Sequence, residues 1–315
     1  MGINLKDLVK VETIELSDLS DKKIAIDSFN ILYQFLSAIR DPRGSLFTDK
    51  KGRVTSHLMG LFYRTVNLLE AGIKPCFVFD GVPVDLKSET SASRRDIRNI
   101  AERLYQEALG RGDDVLAKKY AQQSSKLTSE MIAEAKELIK LMGLPIVDAM
   151  HDGEAQAVYL CKEGEVDTVA SQDWDCLLYG APMLVRNLTA SKAVIQKVVL
   201  KEVLKDLELT QEKLVEAAIL IGTDFNKGVK GVGPKTAIKL AKEGKIKGDE
   251  VEKFKEIKNI FLHPELNRKY KLDWKKPARS ELIDFLTQRG FSKERVEKTL
   301  DRIVPKQKGL GEFFK

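Results

Sequence analysis

The chain has 315 residues, 43% of them hydrophobic, which is ample for a buried core in one large domain or in one with an appended lobe. The formal net charge of +6 favours a polyanionic partner, although any basic protein would carry the same surplus. Cys76, Cys161 and Cys176 are odd in number and lack CxxC spacing, which excludes a disulfide framework and a cysteine-rich zinc site and points to reduced thiols in the cytoplasm. No apolar run spans a bilayer, MGINLKDL is not a signal peptide, and Lys6 stands where a myristoylation site needs Ser or Thr.

In chain order, short apolar runs of strand type alternate with longer segments of helical period, which predicts an α/β fold with a largely parallel sheet flanked by helices. The clearest strands are Lys23–Asp27, Cys76–Asp80, Pro145–Asp148 and Asp167–Ser171. Ser56–Ala71 and Met131–Met142 read as helices with an apolar face. From Val82 to about Thr128 the chain is polar and poor in large aliphatics, so it is either a solvated helical hairpin or a disordered insertion. Beyond Leu209 it is helical and lysine-rich, and after Pro305 it reads as a tail.

Several predicted strands end in acids: Asp27, then Asp80, then Asp173 and Asp175, with Asp152 and Glu154 opening a helical run after the third strand. Ligands of open parallel sheets lie outside the carboxyl ends of the strands, so these acids would gather on one edge. Each alone is explained as a helix cap. Together they would repel and raise one another's pKa, which a hard divalent cation relieves. A pair of such ions activates water and stabilises the leaving oxygen of a phosphodiester. Asp224, in LIGTDFNKG, is a candidate last member, or a turn residue.

Two features point to nucleic acid. In VKGVGPKTA, Gly231, Gly233 and Pro234 precede a helix and place backbone N–H groups at its N-terminus, amid Lys227, Lys230, Lys235, Lys239 and Lys242. This is either a phosphate grip similar to the helix–hairpin–helix motif or an ordinary interhelical turn. Lys87, Arg94 and Arg98 are spaced i, i+7, i+11, so on one helix they would share a face close in sequence to Asp80; the alternative is a solvated face.

The ordered segments IAID, SHLMGLFYRT, VFDG-P, GEA-A, SQDWDCLLYG, NLTAS, LIGTDF and GVGPKTA resemble the flap endonucleases of archaea and eukaryotes, along the whole chain. The resemblance implies an α/β core (1–81 and 129–224), a helical arch (about 82–128), a helix–two-turn–helix element with C-terminal helices (209–304) and a tail (305–315). It implies two-metal hydrolysis of branched DNA at 5′ flaps, with 5′ exonuclease activity, by Mg²⁺ or Mn²⁺. The ligands would be Asp27, Asp80, Glu154, Asp173, Asp175 and Asp224. Asp152 would be the seventh, although the family normally has Glu there and Ser in place of His151. Lys87 and Arg94 match the arch bases at the scissile phosphate, and Tyr33 an aromatic on which the end base stacks. Arg40, Arg64 and Arg98 are assigned to DNA, and Thr55, Ser292 and Arg295 to a pocket for a one-nucleotide 3′ flap. A K⁺ ion is implied after Asp224. Gln307, Leu310, Phe313 and Phe314 fit the tail that docks on the sliding clamp PCNA, and the protein is expected to be a monomer. Rival readings are a sister nuclease of bubbles or Holliday junctions, and a weakened DNA-binding scaffold.

Overall fold

The computed structural model describes residues 5, 8–190, 193–246, 248 and 251–303. The tail positions Gln307, Leu310, Phe313 and Phe314 lie outside them. Seven strands form one sheet: β1 (Glu12–Ile14), β2 (Lys23–Asp27), β3 (Lys74–Phe79), β4 (Ile146–Asp148), β5 (Thr168–Ala170), β6 (Met183–Arg186) and β7 (Ile195–Val199). Their order is β1-β7-β6-β5-β2-β3-β4. The five strands from β6 to β4 are parallel, while β7 and β1 add antiparallel pairings at one edge. The expected parallel sheet is therefore present, with an antiparallel margin from β1, β6 and β7 that the sequence reading does not include.

The helices are α1 (Ser28–Ala38), α2 (Ser56–Glu70), α3 (Ser88–Gly110), α4 (Asp114–Gln123), α5 (Ser129–Leu141), α6 (Gly153–Lys162) and α7 (Asp175–Leu178). They continue as α8 (Leu200–Leu207), α9 (Gln211–Ile221), α10 (Pro234–Lys242), α11 (Phe254–Leu262), α12 (Arg279–Thr287) and α13 (Lys293–Leu300). The strands alternate sides with period two. Ala25, Cys76 and Val78 face a core with α6, α7, α9 and α11, whereas Ile24, Ile26, Phe77 and Phe79 face one with α1, α2, α5, α12 and α13. Both faces are thus covered, as a parallel sheet requires.

The 82–128 segment is the helical hairpin of the two alternatives, α3 packed on α4. Lys87 ends a 3-10 turn, Asp85–Lys87, just before α3, so the expected single-helix stripe begins one residue too early; Arg94 and Arg98 lie on α3. Along the chain, β2, β3 and β4 step one way across the sheet. β5 then returns to the other flank of β2, which puts the topological switch point between β2 and β5.

Candidate active-site cleft

Asp27 closes β2 and caps α1: the Asn30 N–H donates to its Oδ1 at 3.0 Å. Asp27 is thus a helix cap, and its other oxygen reaches across the switch point, where Oδ2 accepts from Ser171 Oγ at 3.2 Å. Ser171 also lies 3.1 Å from Glu154 Oε1, on the first turn of α6. One hydroxyl hydrogen serves one acceptor at a time, so the two carboxylates share a single donor. Asp80, just past β3, accepts from the Gly153 N–H at 2.8 Å. A Cβ on Gly153 would meet that oxygen at 2.7 Å, so glycine permits the approach. Asp173 and Asp175 follow β5, the latter buried at the start of α7.

The electrostatics follow from this crowding. Burial, then the charges of Asp80 and Asp173, push Asp27 up to about 7, against the Asn30 and Ser171 hydrogen bonds. Asp80 keeps contact with the open cleft, yet the surrounding protein mass is enough to raise it to about 6, opposed by the Gly153 N–H and Lys87. Burial and the charges of Asp173, Asp27 and Asp175 hold Glu154 well above the usual carboxylate range. Among the described residues, no group of three or more His, Cys, Asp or Glu side chains is drawn tightly enough together to hold a metal ion as a ready-made cage. Mg²⁺ does not need one, since it keeps several waters and takes few carboxylates directly. A set of hard oxygen donors, mutually destabilised when charged and without His or Cys, fits that ion.

Two cations enter from α3 and the turn before it. Lys87 Nζ donates to Asp152 Oδ1 at 2.5 Å and Arg94 donates to Asp224 Oδ1 at 2.6 Å. Burial works to lower the Lys87 pKa, but the charge and hydrogen bond of Asp152 outweigh it and raise it. Asp152 is thus engaged by a lysine, and by Tyr179, whose O–H donates to Oδ2 at 2.6 Å. The preceding His151 bonds the Val82 carbonyl and Glu265.

Of the other anticipated residues, Tyr33 lies under Arg98, whose guanidinium is 4.6 Å from the ring centre. Arg40 is turned inward, donating to Leu36, Gly44 and Ser125, so it ties α1 to the segment just after α4. Arg64 lines a separate groove with Ile14, Asn67 and Ile195, which none of the cleft acids borders. Thr55 is buried at the N-cap of α2, and Ser292 caps α13 by accepting from the Arg295 N–H. These two helices pack together, and Arg53 bonds the Gln288 carbonyl, so the Thr55 and Ser292 ends are tethered to each other. Gly233 is the N-cap of α10 with Pro234 first in the helix, and Gly231 has φ +85°. Ser171, Tyr179 and Phe225 carry weight that the sequence reading does not assign. A strand-end serine and two core aromatics have no distinguishing local pattern, and only their partners reveal them.

Known proteins share this sequence and fold. The XPG N-terminal domain matches residues 1–101 and the XPG I-region residues 143–224. Flap endonuclease 1 of Methanobrevibacter smithii is 45% identical over 327 residues, spanning 100% of both chains. That of Pyrococcus horikoshii is 46% identical over 325 residues, 96% of this chain and 94% of the relative. The solved flap endonuclease-1 from Methanococcus jannaschii superposes with a TM-score of 0.81 at 44% identity, covering 96% of this chain and 98% of that one. The catalytic core of Rad2 in complex with DNA substrate gives 0.73 at 26% identity, over 93% and 96%.

Proposed function

The chain belongs to the flap endonuclease family, and we propose that the cleft acids serve as its metal ligands and the two arch bases as partners of the scissile phosphate. It is a structure-specific 5′ flap nuclease, a hydrolase of DNA phosphodiester bonds, with the family's role in replication and repair. The observation that carries the site reading is the convergence of two features at the sheet edge: Lys87 bonded to Asp152 and Arg94 bonded to Asp224, beside Asp27, Asp80 and Glu154, which are linked through Ser171 and Gly153.

Asp27, Asp80, Glu154, Asp173 and Asp175 would hold two Mg²⁺ ions, with Mn²⁺ as a substitute; Asp224 would join from the end of α9, and Asp152, one methylene shorter than Glu, through water. Bound there, the ions would supply Lewis acidity to the attacking and leaving oxygens. Lys87 and Arg94 offer N–H donors where charge develops on the phosphate. Tyr33 offers a ring face to the terminal base, which Arg98 covers in its absence. The α10 N-terminus with Gly231, Gly233 and Lys235 grips a duplex phosphate, a K⁺ ion would bind at the turn after Asp224, and Thr55, Ser292 and Arg295 border the 3′-flap pocket. Residues 82–128 act as the arch, and the monomer docks on PCNA through its tail. The products carry a 5′-phosphate and a 3′-hydroxyl.

The test is single-turnover cleavage in Mg²⁺ of a 5′-flap duplex, a bubble and a four-way junction, by wild type and Asp173→Ala. Preference for the flap and loss of cleavage with retained DNA binding are expected. Full activity of Asp173→Ala would refute the ligand assignment.

A further inference from the structure

Lys87 belongs by its backbone to the foot of the arch, but its ammonium is placed by the core. Asp152, at the N-cap of α6, accepts from Lys87 Nζ at 2.5 Å through one oxygen and from the Tyr179 hydroxyl at 2.6 Å through the other. Tyr179 caps the C-terminal end of α7 and is 4% exposed. Its ring packs on Phe261 at 4.9 Å, Phe261 packs on Phe225 at 5.4 Å, and Lys87 Nζ lies 5.2 Å from the centre of the Phe225 ring. The ammonium is therefore bounded by a carboxylate and an aromatic face, both fixed to one aromatic row. A lysine ammonium has three donors on a flexible stem, so with one spent on Asp152 it retains capacity for a phosphate oxygen.

We propose that Tyr179 is a positioning residue for the cleavage reaction: its hydroxyl fixes the Asp152 carboxylate, which sets the Lys87 ammonium over the acidic cleft. The bland alternative is a buried tyrosine satisfying its own O–H. The two differ in consequence. A hydroxyl that only satisfies itself affects stability, whereas one acting through Lys87 affects the rate and loses its effect once Lys87 is gone. The proposal rests on the reading of Lys87 as a phosphate partner.

The experiment is a double-mutant cycle in single-turnover cleavage of a 5′-flap duplex, with wild type, Tyr179→Phe, Lys87→Ala and the double variant, alongside DNA affinity and thermal melting. Tyr179→Phe keeps the ring and the aromatic row. It is expected to lower the rate roughly ten-fold, the scale of a lost orienting partner, with unchanged affinity and no further loss in the Lys87→Ala background. A readout independent of cleavage is acylation of Lys87, quantified by mass spectrometry in chelator without DNA, which should rise several-fold in Tyr179→Phe. A wild-type rate for Tyr179→Phe, equal losses in both backgrounds, or unchanged acylation overturns the proposal while leaving the Lys87 reading intact. A wild-type rate for Lys87→Ala overturns both.

Discussion

Arg94 on α3 donates to the Asp224 carboxylate at 2.6 Å, across 130 residues of sequence, and ties the arch to the turn after α9. The Arg94 side chain is 38% exposed, so the pair is open to exchange with an incoming phosphate. Arg94→Ala should lower the single-turnover rate by about 10²–10³-fold, the scale of one lost transition-state donor, while changing flap affinity only a few-fold. A large loss of affinity at an unchanged rate would return this arginine to general electrostatics.

Metal removal should cost stability in a pH-dependent way. Asp27 is pushed up to about 7 from the ordinary 3.8, so the folded metal-free protein binds its proton more tightly than the unfolded chain does. That contribution is complete below about pH 4 and is lost as the pH rises through about 7. Asp80 and Glu154 act in the same sense. Relative to chelator, Mg²⁺ should therefore raise the melting temperature more at pH 8 than at pH 5, and Asp27→Asn should stabilise the metal-free protein at pH 8. Equal Mg²⁺ shifts at both pH values would contradict this.

His57 contributes the opposite slope. It is fully buried on α2, neither ring nitrogen has a hydrogen-bond partner among the described residues, and burial with the Arg289 charge pushes it down to about 4. Glu134 lies 3.5 Å away, but its carboxylate is committed to Arg289 at 2.8 Å. Neutral His57 is favoured by the fold, so its contribution is full above pH 6.5 and is lost as the pH falls through about 4. In full it amounts to about 3 kcal/mol. Urea titrations at pH 4.5 and 7 should show wild type losing more stability on acidification than His57→Leu. The same loss in both proteins would exclude His57.

Gly233→Asp separates folding from phosphate binding. A Cβ at Gly233 meets nothing within 4 Å and its φ is −89°, so a side chain fits; Asp is also a favourable N-cap for α10. The variant should melt at or above the wild-type temperature and bind the duplex arm more weakly, with a salt slope smaller by about 1. Unchanged affinity at moderate salt would remove this turn from the DNA interface.

Phe313→Ala/Phe314→Ala should abolish calorimetric binding to the cognate clamp without altering thermal stability. Each phenylalanine buried in a partner contributes roughly 1.5–3 kcal/mol before ordering costs. A double variant that binds as wild type, or that melts early without a clamp, would make the tail part of the core.

The acids were legible in the sequence because each closes or follows a short apolar run, and a parallel sheet puts all such ends on one edge. Asp27, Asp80, Glu154 and the Asp173–Asp175 pair needed only that rule. The Gly231–Pro234 turn was legible because glycine and proline restrict the backbone locally. The arch was not. Its second helix packs on α1, Ala117 and Ala121 are fully buried beside Gly44, and Arg40 bonds Ser125, contacts of small and polar groups that composition reads as solvent-facing. Nor was β1, whose antiparallel pairing with β7 joins segments more than a hundred residues apart, nor the local β6–β7 pair beside it. The sequence by itself determined which chemical groups gather at the sheet edge, since that depends on strand order and local period. Only the tertiary structure decided which cation meets which carboxylate, Lys87 with Asp152 and Arg94 with Asp224. Hydrogen-bond energy falls steeply with distance and angle, and both are set by how the arch folds back over the core.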